Sequence, residues 1–356
     1  MAVIVRRLLE SEIGLANDFF NAVYKVSRSI DNFRWEFLHG PVGPAVYVVA
    51  IDDSIKTHTK VVGIQAAIPL QFQNSNGEVV STAKSEDTLV DPSYRGQKIF
   101  ERMYELLFQE CKKAGIDFIW GFTPAKKAFE KIGFEIPFQA HQALMVFRPL
   151  KAYSYLSSLN PQNRFVDKVK IGGLTFLSRF ASVLTGVVST EQLTVKKVNL
   201  QSKNEMIKKT SQAPSVYFLR MDDNYLEWRI NKNPFGNQYE NYHLFSGDKL
   251  IADVLVNFRP EGFGYIEQMF FLDGISEKMK KDVLHHVIST MKPKVNFIRA
   301  LCFDTNDELR SQTRLLKRSG FVILKRGGHF VWRALGSRVL NPNDIFLTRL
   351  FTQGNQ

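Results

Sequence analysis

The amino-acid sequence predicts a mixed α+β fold built from two related domains. The chain has 356 residues, of which 44% are apolar and 12% aromatic, enough for two hydrophobic cores. Helical and strand-like apolar patterns alternate along its length, and short patterns of the first half recur in the same order in the second. We therefore predict a first domain at 1–150, a linker at 151–190, a second domain at 191–340 and a tail at 341–356.

The first half has regular apolar patterns separated by turn residues. Asn74-Ser75-Asn76-Gly77 is typical of a hairpin between two long strands. A helix from about Gly96 is expected to pack Met103, Leu107 and Cys111 against a sheet. Strands are predicted at 2–7, 45–52, 60–73, 78–89 and 117–122, with further strands through Phe147 completing the domain, and helices at 10–24, around Trp35, at 96–114 and at 125–132.

Three pairs of matching segments indicate a diverged tandem repeat. The run at 31–43, which contains Trp35, aligns with the run at 223–236, which contains Trp228, after one inserted residue. A tryptophan at such a helix position usually anchors a core, although Trp35 and Trp228 could instead line substrate clefts. The other two pairs are 131–134 with 318–321, and 146–150 with 331–335. Because the order is the same in both halves, we interpret the chain as two copies of one unit.

The segment Asp91-Pro92-Ser93-Tyr94-Arg95-Gly96-Gln97-Lys98 is a basic, glycine-containing turn between a strand and a long amphipathic helix. Pro92 cannot continue the strand ladder because it lacks an N–H. A helix N-terminus presents unpaired N–H groups and the positive end of the helix dipole, which together attract anions. Arg95 and Lys98 add cationic donors, so the turn is interpreted as a phosphate-binding loop; a solvated helix start is the alternative.

The run from Val90 to Phe100 resembles the acyl-CoA-binding motif of the GNAT superfamily of N-acetyltransferases, Arg/Gln-x-x-Gly-x-Gly/Ala, with Arg95 at its first position. Lys98 and Phe100 stand where that family usually has small residues. The order of elements over 1–150 and the segment Trp120-Gly121-Phe122 resemble large bacterial members with two such domains. The resemblance implies a mostly antiparallel central sheet flanked by helices in each domain, and acetyl-CoA or another acyl-CoA as acyl donor. The cofactor-binding residues that it implies are Leu89, Val90, Tyr94, Arg95, Gly96, Gln97, Lys98, Ile99, Phe100 and Lys126.

In GNAT enzymes an amine attacks the thioester directly, so the site needs a base for the amine and an acid for the thiolate. Glu86 and Asp87, next to the loop, are the candidate bases, unless both are solvated or cap the loop. As neighbours in a strand they are expected to face opposite sides, so that only one faces the cleft. Phe129 stands where the family often has a tyrosine acid. Water or another group would then protonate the thiolate, and Tyr94 and Tyr104 are hydroxyls that could lie nearby.

The second half predicts a similar order of elements. Its strands are expected at 193–198, 242–245, 250–258, 264–271 and 297–303, and its helices at 275–291 and 307–319. The turn before its long helix, at 272–277, is acidic and has no arginine. Because such a turn would repel a pyrophosphate, we interpret the second copy as a degenerate GNAT-like domain that lacks the cofactor site.

The composition favours anionic partners. The formal net charge is +12 and the pI about 9.5, which suits a nucleotide cofactor, an acidic glycan, an anionic membrane surface or nucleic acid. Nucleic acid is the weakest of these because the basic residues do not form an aromatic-interleaved tract. Cys111 and Cys302 are predicted to be buried free thiols, and no spacing indicates a metal site. A cytoplasmic location is expected.

The linker contains an apolar stretch at 171–188 with Arg179 in its middle. Its small and hydroxyl residues favour a packed linker helix, while Lys168, Lys170 and Arg179 favour peripheral contact with a membrane surface as the second interpretation.

Three functions remain open from the sequence. The first is an acetyl-CoA-dependent N-acetyltransferase acting on a small-molecule or amino-sugar amine, such as a glycan amine. The second is a tRNA-dependent aminoacyl transferase of the peptidoglycan type, since such proteins resemble this two-domain plan. The third is a non-catalytic binding protein made of two GNAT-like domains, because Lys98, Phe100 and Phe129 depart from the family pattern. The oligomeric state leaves no signature in the sequence.

Overall fold

The computed structural model of the protein describes residues 3–54, 59–159, 165–184, 193–210, 215–272, 274–303, 312–325 and 327–351. Most predicted elements of the first half and the linker are present, with ends that differ by a few residues. In chain order they are β1 (Val3–Arg7), α1 (Ile13–Tyr24), α2 (Ile30–Phe37), β2 (Val46–Asp52), β3 (Lys60–Asn74), β4 (Val79–Val90), α3 (Ile99–Lys113), β5 (Phe118–Thr123), α4 (Lys126–Lys131), β6 (Ala140–Val146), α5 (Pro149–Ser158) and α6 (Phe165–Leu184).

The second half repeats this order with shorter helices at its start. The predicted helix at 307–319 lies partly outside the described residues, which resume at Gln312. The elements are β7 (Leu193–Val198), α7 (Asn204–Thr210), β8 (Tyr217–Leu219), α8 (Asp223–Leu226), β9 (Gln238–Ser246), β10 (Lys249–Phe258), β11 (Gly264–Phe271), α9 (Glu277–Met291), β12 (Phe297–Phe303), α10 (Thr313–Arg318), β13 (Val322–Leu324), β14 (His329–Ala334) and β15 (Ile345–Phe346). A short π-helix, Glu227–Asn231, continues α8 and carries Trp228.

Two mostly antiparallel sheets organise the molecule. The first has the order β1-β2-β3-β4-β5-β14, and the short strands β8 and β15 join it beside the far end of β3. The second has the order β13-β6-β12-β11-β10-β9-β7. Helices flank both sheets, so the predicted mixed α+β class with two related sheets is confirmed.

Among the described residues, the first sheet contains two parallel strand pairs, β4 with β5 and the short pair of β8 with β15, and the second sheet contains one, β11 with β12. The β4–β5 and β11–β12 pairs soon separate. In the first sheet, β4 pairs with β5 over Thr82–Lys84 and Phe118–Trp120. In the second sheet, β11 pairs with β12 over Gly264–Ile266 and Ile298–Ala300. Beyond these residues the two strands of each pair diverge, which opens a fork in each sheet.

The two halves exchange a strand. β6 belongs to the first half but pairs in the second sheet with β12 on one side and β13 on the other. Conversely, β14 of the second half pairs with β5 in the first sheet. The strand predicted to end near Phe147 is present as β6, but it lies in the second sheet and not in the first. Hydrophobic alternation specifies which face of a strand is buried but not which strand lies beside it, so the sequence pattern could not reveal the exchange.

The tryptophans that align the two copies contact each other. The rings of Trp35 and Trp228 stack with centroids 5.5 Å apart. The indole Nε1 of Trp35 donates a 2.8 Å hydrogen bond to the carbonyl of Trp228, and Nε1 of Trp228 donates an equal bond to the carbonyl of Trp35. Both side chains are buried. The pair is thus a reciprocal, locally two-fold contact between the copies, and it belongs to a core to which both halves contribute.

Trp35→Phe should lower the free energy of unfolding by about 1–3 kcal/mol, because the carbonyl of Trp228 loses its buried donor while an aromatic ring remains. Trp228→Phe should cost a similar amount for the same reason. The two costs should not add in the double variant, since the residues touch. Urea unfolding of the three variants measures these differences. An unchanged stability for either single variant would contradict the reciprocal contact.

Candidate active site

The loop between β4 and α3 has two residues in the left-handed backbone region. Gly96 has a φ of 82° and Lys98 a φ of 56°, and neither value is compatible with a right-handed helix. The helix therefore begins at Ile99, three residues later than the predicted start at Gly96. Lys98 adopts the conformation that glycine would supply most easily, and it does so with a cationic side chain.

The predicted cofactor residues of this loop fall into two groups. Arg95, Gly96, Gln97 and Lys98 are exposed and available to a ligand. Tyr94 is buried, and its hydroxyl donates a 2.6 Å hydrogen bond to Oδ2 of Asp52. Nζ of Lys60 donates to the same hydroxyl at 3.2 Å. Tyr94 therefore anchors the loop to the sheet, while its neighbours face solvent.

The remaining predicted cofactor residues lie around this loop. Leu89 and Val90 end β4, where they pair with β3 and leave the edge toward β5 open. Ile99 is the first residue of α3, and its side chain is buried in the core between this helix and the sheet. Phe100 is half-buried and packs on the rings of Tyr104 and Phe129, so its ring contacts the core. Lys126 starts α4 and forms a surface ion pair with Glu130 at 3.6 Å.

A β-bulge in β4 turns Asp87 to an unexpected side. The register with β3 shifts between Ile64 and Ala66, and Asp87 has a φ of 50°. Arg28 donates to both carboxylate oxygens of Asp87, at 3.1 and 2.9 Å, and the hydroxyl of Tyr47 donates at 2.8 Å. Asp87 thus reaches the face of the sheet that carries α1 and α2. The prediction that Glu86 and Asp87 face opposite sides is wrong because the bulge breaks the strand alternation.

Glu86 lies just past the residues of β4 that pair with β5, at the start of the fork. It forms an ion pair with Lys84, two residues earlier on the same face. Burial raises the pKa of Glu86 and lowers the pKa of Lys84, while their mutual attraction opposes both shifts. Asp87 is held by three donors, so of the two predicted bases Glu86 has the fewer fixed contacts.

A third carboxylate, Glu36, joins this cluster and was not among the predicted site residues. It is buried on α2, with its Oε2 3.8 Å from Nη1 of Arg28. Burial raises its pKa to about 8, and the charges of Asp87 and Glu86 add to the rise. A glutamate directly after an apolar helical position resembles an ordinary surface residue. Only its place in the repeat, next to Trp35, could have drawn attention to it.

Both copies contribute to the cavity beside Glu36. The cavity has a volume of about 20 Å³, close to that of one water molecule. Glu36 and Lys84 line it from the first copy, and Tyr225 and Arg229 line it from the second. Arg229 follows Trp228 as Glu36 follows Trp35, so the tryptophan pair brings residues of opposite charge to the same place. A groove of about 530 Å³ opens beside Trp35 and Trp228 themselves.

The aromatic cluster behind β4 contains a tyrosine hydroxyl next to the predicted acid position. Phe129 is buried and packs against the ring of Tyr104, with centroids 5.5 Å apart. The hydroxyl of Tyr104 lies 2.7 Å from Oγ of Ser85 and 3.1 Å from Oγ1 of Thr88, both on β4. Burial raises the pKa of Tyr104. Of the two tyrosines named from the sequence, Tyr104 is therefore the one beside the fork, while Tyr94 is bound to Asp52.

In the second copy, the chain itself fills the corresponding fork. The C-terminal residues 346–349 lie against the diverging parts of β11 and β12, leaving a cavity of about 20 Å³. Nη1 of Arg349 donates to Oε1 of Glu267 at 2.5 Å, and both side chains are buried. The Arg349 guanidinium also lies 3.2 Å from the ring centroid of Tyr265. Asp273, part of the acidic turn before α9, lies outside the described residues.

Neither cysteine belongs to the site, and both are buried thiols outside any disulfide, as predicted. Burial raises the pKa of the Cys111 thiol to about 12, which makes it a poor nucleophile. Within the described residues, histidine, cysteine and acidic side chains form no group that could hold a metal ion.

The first half has a forked sheet, a bulged fourth strand and an exposed basic loop before α3. Residues 4–136 match the family described as the acetyltransferase (GNAT) domain. The first half of the chain therefore contains a GNAT acetyltransferase domain. No curated protein matches its sequence. The GNAT match covers the exposed loop, the fork and all three clustered carboxylates.

Solved structures extend the similarity to both halves. A probable N-acyltransferase from Enterococcus faecalis is 13% identical over 94% of this chain and 73% of its own, with a TM-score of 0.62. A tandem GNAT protein from the clavulanic acid biosynthesis pathway is 10% identical over 95% of this chain and 100% of its own, with a TM-score of 0.54. A fungal glucosamine N-acetyltransferase region is 13% identical over 93% of this chain and 38% of its own, with a TM-score of 0.58. At these identities the similarity establishes the tandem GNAT fold.

Lys98→Gly should raise the free energy of unfolding by about 1 kcal/mol, because glycine adopts the left-handed region without a Cβ penalty. Gln97→Gly, one residue earlier and outside that region, should instead lower it by about 0.5–1 kcal/mol through added chain entropy. Urea unfolding of both variants tests this. Equal effects would show that Lys98 carries no special backbone strain.

Glu36→Gln should become more stable than the parent protein as the pH rises. In the folded protein the pKa of Glu36 is about 8, against an ordinary value of 4.5. The stability from its protonated form is complete below about pH 4.5 and is lost as the pH rises through 8. Urea unfolding at pH 5, 7 and 9 measures the difference. Glu130→Gln, at a half-exposed surface pair, is the control and should show no such slope.

Proposed function

We propose that the protein is an acetyl-CoA-dependent N-acetyltransferase with one site, in the first GNAT domain. The observation that carries this proposal is the exposed loop Arg95–Lys98, which joins the open fork of β4 and β5 to the start of α3. Such a loop offers backbone N–H groups, the positive end of a 15-residue helix and two cationic side chains to a pyrophosphate. The second fork is filled by residues 346–349, which supports a single cofactor site.

The residues proposed to hold acetyl-CoA have separate tasks. Arg95 and Lys98 pair with phosphate charges, and the backbone of Gly96 and Gln97 donates to phosphate oxygens. Leu89 and Val90 offer the free edge of β4 to the extended pantetheine arm, as one strand offers its edge to another. Ile99 and Phe100 support the loop from the core. Lys126 on α4 adds a mobile cation. Acetyl-CoA would supply the acetyl group as a thioester.

The proposed reaction places the acceptor amine near the clustered carboxylates. The amine nitrogen bonds to the acetyl carbonyl carbon, the carbon–sulfur bond breaks, and the thiolate leaves. Glu36 is the proposed acceptor of the proton that the amine loses, since a carboxylate with a pKa of about 8 exchanges protons near neutral pH. Glu86, at the start of the fork, assists it. Asp87 is assigned a positioning role through Arg28 and Tyr47.

The buried hydroxyl of Tyr104 is the proposed route by which the thiolate regains a proton. Tyr104 contacts Ser85 and Thr88 on β4. Phe129 occupies the position at which the family often has a tyrosine acid. The hydroxyls of Ser85 and Thr88 would link Tyr104 to the fork, so no tyrosine at position 129 is required.

The proposed acceptor is a small amine, with an amino sugar as the leading class. The carboxylates of Glu36 and Glu86 can accept a hydrogen bond from an amine, while Arg28, Lys84 and Arg229 balance much of the charge of the cluster. Tyr225 and Arg229 from the second copy line the cavity beside Glu36. Because that cavity has room for about one water molecule, only the amine end of the acceptor would reach it. The structural similarity to a glucosamine N-acetyltransferase region is in keeping with an amino sugar.

Calorimetric titration with CoA and with acetyl-CoA tests the cofactor site directly. Arg95→Ala should weaken CoA binding about tenfold or more, because a charged hydrogen bond to phosphate is worth about 1.5–3 kcal/mol. Lys280→Ala is the matched control. Lys280 lies in the first turn of α9, the helix of the second copy that corresponds to α3, so CoA binding should be unchanged.

Three results would contradict the proposal. Folded protein that binds neither ligand would favour the non-catalytic binding protein. A loss of binding in Lys280→Ala alone would move the site to the second copy. CoA binding without acetyl transfer to a panel of amino sugars and small amines would leave the cofactor site in place and refute the acceptor class.

A further inference from the structure

Helix α6 packs on the second sheet with the polar side of its surface turned inward. Thr175 and Ser178 are fully buried against β6. The hydroxyl of Ser178 donates to the carbonyl of Leu144 at 3.0 Å and accepts from the N–H of Val146 at 3.1 Å. Ser182 donates to the carbonyl of Val146 at 3.4 Å. The inward face of this helix is therefore built from small hydroxyl residues together with Leu174, which packs on the core that contains Leu144 and Val146.

The opposite side of α6 is a stripe of large apolar side chains in solvent. The exposed fractions are 80% for Phe165, 57% for Val169, 59% for Phe176, 57% for Leu177, 61% for Phe180 and 56% for Val183. At 3.6 residues per turn these six side chains lie together on the outward face, and we call them the apolar stripe. Glycines at 172 and 173 keep its middle flat. A continuous exposed apolar surface of this kind marks an interaction site.

Cations border the apolar stripe on both edges. Lys168 and Arg179 follow one edge, and Lys170 lies on the other. The Lys170 edge opens into a groove of about 700 Å³, to which Arg299 and Lys325 add two more cations. Asp167 is the acidic residue among the groove's lining residues. The surroundings of the stripe are therefore strongly positive.

We propose that the apolar stripe docks on the surface of an anionic lipid bilayer, with α6 lying in the plane of the interface. Aromatic and aliphatic side chains on one face with lysine and arginine along both edges match the requirements for that position. The edge cations reach anionic head groups while Phe176 and Phe180 enter the acyl boundary. Within the described residues, no helix is long and apolar enough to cross a membrane.

A second copy of the chain fits the apolar stripe less well. In an antiparallel two-fold contact, the edge with Lys168 and Arg179 would face the same edge of the partner. In a parallel contact it would face the edge with Lys170. Either arrangement brings cations against cations, which is unfavourable, whereas a bilayer of anionic lipid offers the opposite charge along both edges.

Membrane docking is independent of the proposed acyl transfer. The apolar stripe lies on a helix packed against β6 of the second sheet, while the cofactor loop joins β4 of the first sheet to α3. Residues 185–188 of the apolar stretch predicted from the sequence lie outside the described residues and are not needed for the stripe.

Vesicle flotation with the full-length protein tests the proposal. Vesicles of phosphatidylcholine mixed with phosphatidylglycerol should carry the protein at low salt, and vesicles of phosphatidylcholine alone should carry much less. Phe176→Ser/Phe180→Ser should abolish the association. Lys168→Gln/Arg179→Gln should weaken it about fivefold for each removed charge. Val339→Ser, at an apolar residue that is 94% exposed elsewhere, is the control and should bind as the parent protein does.

The outcomes separate membrane docking from its alternatives. Far-UV circular dichroism of each variant shows that it is folded. Absence of vesicle binding by the folded parent protein, or equal binding to both vesicle types, would overturn the proposal. Sedimentation velocity supplies the other test. Concentration-dependent self-association that disappears in Phe176→Ser/Phe180→Ser, without vesicle binding, would make a second copy the occupant and would also overturn it.

Discussion

The reciprocal contact between Trp35 and Trp228 is the constraint on which the arrangement of the two copies depends. Each indole N–H is paired with the carbonyl of the other tryptophan, so neither residue can leave without exposing a buried polar group. The contact fixes α2 against the π-helix of the second copy. It thereby places Glu36 beside Arg229, at the cavity where the first copy has its acidic cluster. The candidate acceptor site is thus a property of the pair of copies.

The exchanged strands make the two copies inseparable in a second way. β14 closes the first sheet beside β5, and β6 extends the second sheet beside β12. Each sheet has one fork, and the two forks differ in whether a segment of the chain occupies them. The first remains open next to a cationic loop, whereas the second holds the buried ion pair of Arg349 and Glu267. A charge buried in this way must keep its partner, so residues 346–349 are held in the second fork.

Two backbone conformations give the open fork its chemistry. The bulge at Asp87 turns that carboxylate toward Arg28 and Tyr47, and burial raises the pKa of Glu86 and of Glu36. The left-handed conformation of Lys98 ends the loop and starts α3 beyond the exposed residues. Both positions carry side chains in a region that glycine prefers. Such strain is tolerated where the surrounding structure enforces it, and it is concentrated at functional sites.

The sequence alone determined the elements, the repeat and the loop, because periodicity, turn residues and a short motif are local properties. It also indicated the degenerate second copy, through the acidic turn before α9, and the unusual apolar stretch that includes α6. The tertiary structure decided the rest. Strand partners, the side on which Asp87 lies and the burial of Glu36 depend on residues far apart in the chain. An apolar pattern records that a face is buried, but only packing shows which neighbour buries it, and for the outer face of α6 packing left it in solvent.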